Sequence, residues 1–369
     1  MPRFKNVLFV GTGGGNDIFS TTLAMLSLRA AGIEWKSCSV AGVLSPFHRF
    51  DGLEPTDCPQ VFSVPDRDIR RIVPCRVDRI ESPMVERTVA ALASAELEMR
   101  IGQIYGLSLT EGTNGLTRAF RRLAKSHDFV VLVDIGGDIL FRGSETDPRV
   151  LSPMFDAMVL EAFCTSGAPG ILFEAGPGTD GEIHRGSLAE TLNSPTVMRF
   201  PLAPSAVDEW ERLFRTYVEP VRAGRTVPKT IEAFRSTQPL LTLDYRARCH
   251  LGTRRWYATF PHKISTELNR SFYLIPPDWA RRRNPYCVHS DSVLGWIGQI
   301  RQPERHVNAE FQFEYLSIRP HVWLLALPSP LFTPDQRKEM VDAAFEDMRR
   351  SNCHGVITDG PEGLVCHAP

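Results

Sequence analysis

The chain has 369 residues, and 42 Lys and Arg against 43 Asp and Glu leave a formal charge of −1, so no overall basic field exists to hold nucleic acid or anionic lipid. Apolar residues at 43% and charged residues at 23% are globular proportions, and 27 Gly with 28 Pro only slightly exceed ordinary usage, which excludes disorder, collagen and coiled coil. The length suits one large domain or two ordinary ones.

The elements follow in order. Asn6 to Val10 is an apolar run too short for a signal peptide, and Val7-Leu8-Phe9-Val10 reads as a buried strand. From about Asp17 to Ala31 an apolar-rich helix runs until Gly32 stops it, and Ser37 to Leu44 is the next strand. Residues 46–83 contain Pro and Arg with weak periodicity and read as irregular with a short strand. Helices are predicted over 84–100 and 116–126, and strands over 128–133 and 170–173. A helix at 206–218 follows, then a stretch rich in Arg, aromatics and Pro. Thr333-Pro334-Asp335-Gln336 has the form of a helix start, with the helix running to about 350, and 355–358 is a last strand returning to a sheet edge.

Strands alternating with helical patterns predict βαβ units, hence an α/β fold with a three-layer, Rossmann-like, mostly parallel sheet. A division is expected into residues 1–200, carrying the glycine and acid loops, and residues 201–369, an α+β extension that covers or completes the sheet, with a single domain as the alternative. The eight cysteines have no two closer than 13 residues, so no CxxC element for zinc or redox exchange exists and buried thiols are expected. With no apolar stretch long enough to span a bilayer, the expected setting is cytoplasmic, without membrane or nucleic-acid partners and with homo-oligomerisation left open.

Three strand ends share one pattern, an apolar run followed by glycines and then carboxylates. They are Gly13-Gly14-Gly15-Asn16-Asp17, Asp134-Ile135-Gly136-Gly137-Asp138 and Glu174-Ala175-Gly176-Pro177-Gly178-Thr179-Asp180-Gly181-Glu182. In an open parallel sheet, ligands bind outside the carboxyl ends of the strands, so these acids converge if their strands are neighbours. A tight turn whose Asp caps the next helix is the competing reading for Asp17 or Asp138. Asp134 and Glu174, at the ends of apolar strands, instead face burial that raises a carboxyl pKa or demands a donor or cation.

The first loop departs from the dinucleotide fingerprint: Asn16 stands at its third glycine, Asp17 follows at the helix N-terminus, and no acid for a ribose follows the second strand. No GK[ST] follows the glycines either, so a P-loop is excluded. NAD is therefore disfavoured. A carboxylate at that helix start suits sugar hydroxyls, an ammonium group or a metal-bound water better than a bare pyrophosphate.

The three motifs together resemble a bacterial and archaeal family known as a domain of unknown function, over about the first 190 residues. The resemblance implies that these glycine and acid positions define the family, and it supplies no catalytic assignment.

The function expected is an enzyme acting by hydrolysis or group transfer on a small polar metabolite such as a nucleoside, sugar or amino-acid derivative. Asp134, Asp138, Glu174 and Asp180 are the candidate catalytic acids, with Glu174 or Asp180 as general acid/base. Asp17, Asp134 and Asp138 would bind a Mg²⁺- or Ca²⁺-like cation or substrate hydroxyl and amino groups. The amides of Gly13, Gly14 and Gly15 would hold an anionic group or oxyanion, with Asn16, Gly136, Gly137 and His184 completing the substrate site. A nucleotide-cofactor enzyme with a degenerate glycine loop and a non-catalytic metabolite sensor are the alternatives. The polar and aromatic segment from His250 to Glu267, which includes His262, reads as a partly amphipathic strand, with a substrate-binding loop as the alternative.

Overall fold

A computed structural model describes residues 3–13, 17–43, 54–63, 101–109, 111–142, 153–219, 226–251, 254–292, 295–296, 299, 316–318, 322–324, 335, 339, 356–360 and 363–367. The helix expected at 84–100, and all but two positions of the one at 333–350, lie outside these residues. The first half runs β1 (Arg3–Gly11), α1 (Asp17–Ala30), β2 (Glu34–Val43), β3 (Glu54–Pro55), β4 (Val61–Ser63), β5 (Ile101–Leu107), α2 (Gly112–Leu123), β6 (Phe129–Ile135), a tight turn of helix (Asp138–Leu140), α3 (Pro153–Ser166) and β7 (Gly170–Ala175). The chain continues through α4 (Arg185–Leu192), β8 (Met198–Pro201), α5 (Pro204–Leu213), wound on as a wider turn to Val218, and α6 (Thr226–Arg235). Next come β9 (Leu240–Leu251), β10 (Arg254–Ser265), α7 (Thr266–Asn269), β11 (Ser271–Ile275) and α8 (Pro277–Arg281).

The main sheet has nine strands in the order β3-β4-β5-β2-β1-β6-β7-β11-β8. Its central five, β5 to β7, are parallel, and the strands added on either side are antiparallel. This is the Rossmann-like α/β fold, with the first strand in the middle and the order reversing between β1 and β6. Such a reversal splays the connections apart and opens a crevice at the carboxyl ends. β8 and β11 come from beyond residue 197, so the later part of the chain completes this sheet.

Both faces of the parallel strands are covered, which is why they read as continuous apolar runs. Val7 and Phe9 of β1 point into a core closed by α1, α5 and α6, whereas Leu8 and Val10 point into one closed by α2, α3 and α8. Each fully buried Leu, Val or Phe contributes about 1.5–3 kcal/mol relative to exposure. On the second face, the start of α2 is fastened to the segment after α8. The Ser290 amide donates to Thr113 Oγ1 (2.7 Å), that hydroxyl donates to the Ser290 carbonyl (3.2 Å), and the Thr113 amide donates to Ser290 Oγ (3.3 Å).

In the first half, two elements were not evident from the pattern. β5 follows the weakly periodic stretch, and α3 is apolar on nearly every side because it lies between the sheet, α2 and α8, so it has no polar stripe to mark it. β9 and β10 pair along their whole length as a ribbon of their own. β14 (Val356–Gly360) overlaps the last predicted strand. It lies at the edge of a separate antiparallel sheet formed with β12 (Leu316–Ile318), β13 (Val322–Leu324) and β15 (Gly363–His367), not at the edge of the main one. No helix among the described residues is long and apolar enough to cross a membrane.

Candidate functional site

The carboxyl ends of β1, β6 and β7 are tied into one surface. The Thr12 amide donates to the Val133 carbonyl (3.0 Å), the Gly136 amide to that of Ala175 (3.1 Å) and the Gly178 amide to that of Gly136 (2.5 Å). Asp134 and Glu174 are the penultimate residues of adjacent parallel strands and are in direct register. Their neighbours Leu132 and Leu172 lie in the core beneath α2 and α3, so strand alternation turns both carboxyls toward that same side. Both residues are 0% exposed, and none of their four carboxyl oxygens meets an N–H or O–H donor. The two carboxyls face each other, a contact that becomes a hydrogen bond only when one of them carries a proton.

Asp17 opens α1, and its Oδ2 turns back to accept the Gly13 amide (2.7 Å). A Cβ at position 13 would collide with that oxygen, so a side chain there is incompatible with this placement of Asp17. After β6, Gly136 and Gly137 take φ of 128° and 100° and swing the chain into the turn that starts with Asp138. Asp180 Oδ1 accepts the Glu182 amide (2.9 Å). Its loop is held from behind, by a bond between the Thr179 and Thr230 hydroxyls (2.7 Å) and by Asn269 Nδ2 donating to the Pro177 carbonyl (3.1 Å).

A further carboxylate enters from α3. Asp156 lies in the first turn of that helix, 2% exposed, with the Thr12 hydroxyl and the Asp138 carboxyl beside it and its Oδ1 without a donor. One oxygen from each of Asp17, Asp134 and Asp156 lies within 4.8 Å of the others. The expected partner of Asp17 and Asp134 was Asp138; the structure brings Asp156 to that position. The sequence signal was available, since Asp156 and Glu161 are the only charged residues in an otherwise apolar 153–166 segment that opens with Pro.

Burial pushes the carboxyls of Asp17, Asp134, Asp138 and Glu174 well above their ordinary range and that of Asp156 up to about 7. The neighbouring charges that weigh most on them are all carboxylates, which push the same way. The arrangement can therefore hold protons, a cation, or donors from a ligand.

Asp17, Asp134, Asp138, Glu174 and Asp180 are thus brought together, with Gly13, Gly136 and Gly137 shaping the floor. Gly14, Gly15 and Asn16 lie outside the described residues. His184 does not join them. It is exposed, and its Nδ1 accepts the Gly186 amide (3.1 Å) to cap α4, because the chain has already left the strand ends there. The histidine against the site loop is His262 of β10, 3% exposed, with Nε2 3.8 Å from where a Cβ on Gly178 would stand. The sequence marks it only as one of a polar and aromatic cluster whose favoured reading is a strand.

No curated protein and no solved structure matches this chain. Residues 67–209, which include Asp134, Asp138, Asp156, Glu174, Asp180 and Glu182, match the model of a family described as a protein of unknown function (DUF1152).

Proposed function

We propose that the protein is an enzyme acting by hydrolysis or group transfer on a small polar metabolite bound in the carboxylate crevice. The observation that carries this reading is the meeting of Asp17, Asp134, Asp138, Asp156, Glu174, Asp180 and Glu182, all buried, at the carboxyl ends of parallel strands where the strand order reverses. A fold gains nothing in stability from burying the carboxyl oxygens of Asp134 and Glu174, which meet no donor, so their retention is best accounted for by a ligand. Hydroxyl and amino groups of a sugar, nucleoside or amino-acid derivative supply such donors. Buried carboxyls held above their ordinary range suit general acid/base exchange, and Glu174 and Asp138 take those roles. A hard metal ion belongs to the same reading as counter-charge.

The dinucleotide alternative is disfavoured by the Gly13 amide, which a pyrophosphate would need and which Asp17 already occupies. The unpaired Cys38, Cys58, Cys164 and Cys287 support a reducing, cytoplasmic setting. The test is a mass-spectrometric screen of glycosides, nucleosides and acylated amino acids for conversion by the wild type and by Glu174→Gln. Turnover by the wild type, with substrate bound but unconverted by the variant, is expected. Ligands bound equally by both and never converted would leave a sensor instead.

A further inference from the structure

The crevice reading does not say which acids meet the cation and which meet the substrate, and the geometry separates them. Asp17, Asp134 and Asp156 come from three different elements, the start of α1, the end of β6 and the first turn of α3, yet an oxygen of each lies within 4.8 Å of the others. Two ligands of one ion can be no farther apart than twice the metal–oxygen distance, about 4.2 Å for Mg²⁺ and about 5 Å for Ca²⁺. The three separations fall inside the Ca²⁺ limit, so the oxygens come within reach of one Ca²⁺-sized ion, and a slight closure brings them onto it or onto a smaller one.

Two of the three carboxyls are also aimed. The Gly13 amide holds Asp17 Oδ2, and the Thr12 hydroxyl stands beside Asp156, whose Oδ1 is left without a donor. Such outer contacts orient ligands at metal centres. A separate observation points the same way. Glu174 is not one of the three, is completely buried, and presents two oxygens without a donor toward Asp134, where only a proton or a neighbouring positive charge offsets its desolvation.

We propose that Asp17, Asp134 and Asp156 form the site of one hard divalent cation, and that Asp138, Glu174 and Asp180 remain to face the substrate. This rests on the crevice being the functional site. The substrate class follows from the division. The acids left over repel a phosphate or carboxylate, so the substrate presents hydroxyl or amino groups to them, and any anionic group it carries lies toward the cation.

The experiment uses the full chain stripped with EDTA and titrated with Mn²⁺, read by calorimetry and by electron paramagnetic resonance, with Mg²⁺ and Ca²⁺ as competitors. One Mn²⁺ per chain is expected, with a raised melting temperature. Asp156→Asn weakens Mn²⁺ binding by more than about 100-fold, beyond the 10–100-fold typical of a supporting residue, whereas Asp138→Asn changes it by less than about tenfold. Should Asp156→Asn fail to fold, Asp17→Asn provides the same contrast with Asp138→Asn. Equal losses in the two variants, or no response to any of the three cations, overturn the proposal. Turnover that survives EDTA removes the cation centre but keeps the enzyme, and Mn²⁺ bound by a chain that converts nothing does the reverse.

Discussion

Two buried polar regions lie toward the same end of this sheet, and they are built in opposite ways. Where the chain after α8 docks on the start of α2, Thr113 and Ser290 exchange hydrogen bonds in both directions, and the Asn114 amide adds another to the Ser290 carbonyl (2.9 Å). Asn284 Nδ2 donates to the Ile139 carbonyl nearby (3.0 Å). In the crevice, Asp134 and Glu174 are buried at least as deeply and meet no donor at all. Hydrogen bonds made within the chain hold a joint together, while polar atoms left without donors cost stability. The contrast marks the first region as structural and the second as shaped for something outside the chain.

The largest expected effect is on pH dependence in the metal-free protein. Burial makes the folded chain hold protons on Asp17, Asp134, Asp138, Asp156 and Glu174 that the unfolded chain releases near the ordinary carboxylate range. Between that range and about pH 7, where Asp156 titrates when folded, the folded state binds more protons and stability falls as pH rises. Melting after EDTA treatment should therefore move to higher temperature between pH 8 and pH 5, by a stability gain on the order of a few kcal/mol for the cluster. Added Mg²⁺ should flatten the slope by displacing the protons it competes with. A flat metal-free profile would mean that the crevice is as well compensated as the α2 joint.

Substitution should then give opposite signs in the two regions. Thr113→Val keeps the shape but removes the acceptor of the buried Ser290 amide, so stability should fall by about 1–3 kcal/mol with cation affinity untouched. Above the ordinary carboxylate range, Asp134→Asn removes a proton that the folded chain must take up and adds an amide able to donate to Glu174, so melting should rise, on the order of 1 kcal/mol, while cation affinity collapses. Thermal melts and Mn²⁺ titrations on both variants check the pair. A drop in both melting temperatures would make the two regions alike.

How much of this was legible in the sequence follows from how local each signal is. The strand ends at Val10, Val133 and Phe173 and the acids beyond them could be read because an apolar strand, a glycine and a carboxylate are consecutive in the chain. Asp156 could be read only as a charge in an apolar segment: α3 is buried between layers and carries no periodic stripe, so no helical pattern marked the element that holds it. The histidines show the limit most clearly. His184 lies two residues beyond Glu182 and caps a helix, while His262 lies some eighty residues farther on and packs against the same loop, because the β9–β10 ribbon folds back over it. Sequence distance ranks these two in the wrong order, since proximity there comes from the ribbon.

The smallest expected effect, Gly13→Ala, separates the two kinds of region within one residue. Gly13 is not among the glycines with positive φ, so its backbone accepts an alanine, which also lowers the entropy of the unfolded chain. What the added methyl meets is functional. It would collide with Asp17 Oδ2 and stand 3.3 Å from Asp156 Oδ2, disturbing two of the three carboxylates assigned to the cation. Metal-free stability should then change by less than about 1 kcal/mol, while Mn²⁺ affinity falls about tenfold, because the ligands are moved and not removed. Calorimetric titration and melting after EDTA measure the two quantities separately. Unchanged affinity would take Asp17 out of the cation site. A large loss of metal-free stability would make the Gly13–Asp17 bond a joint of the Thr113–Ser290 kind, and the boundary between the two regions would have to be drawn on the other side of α1.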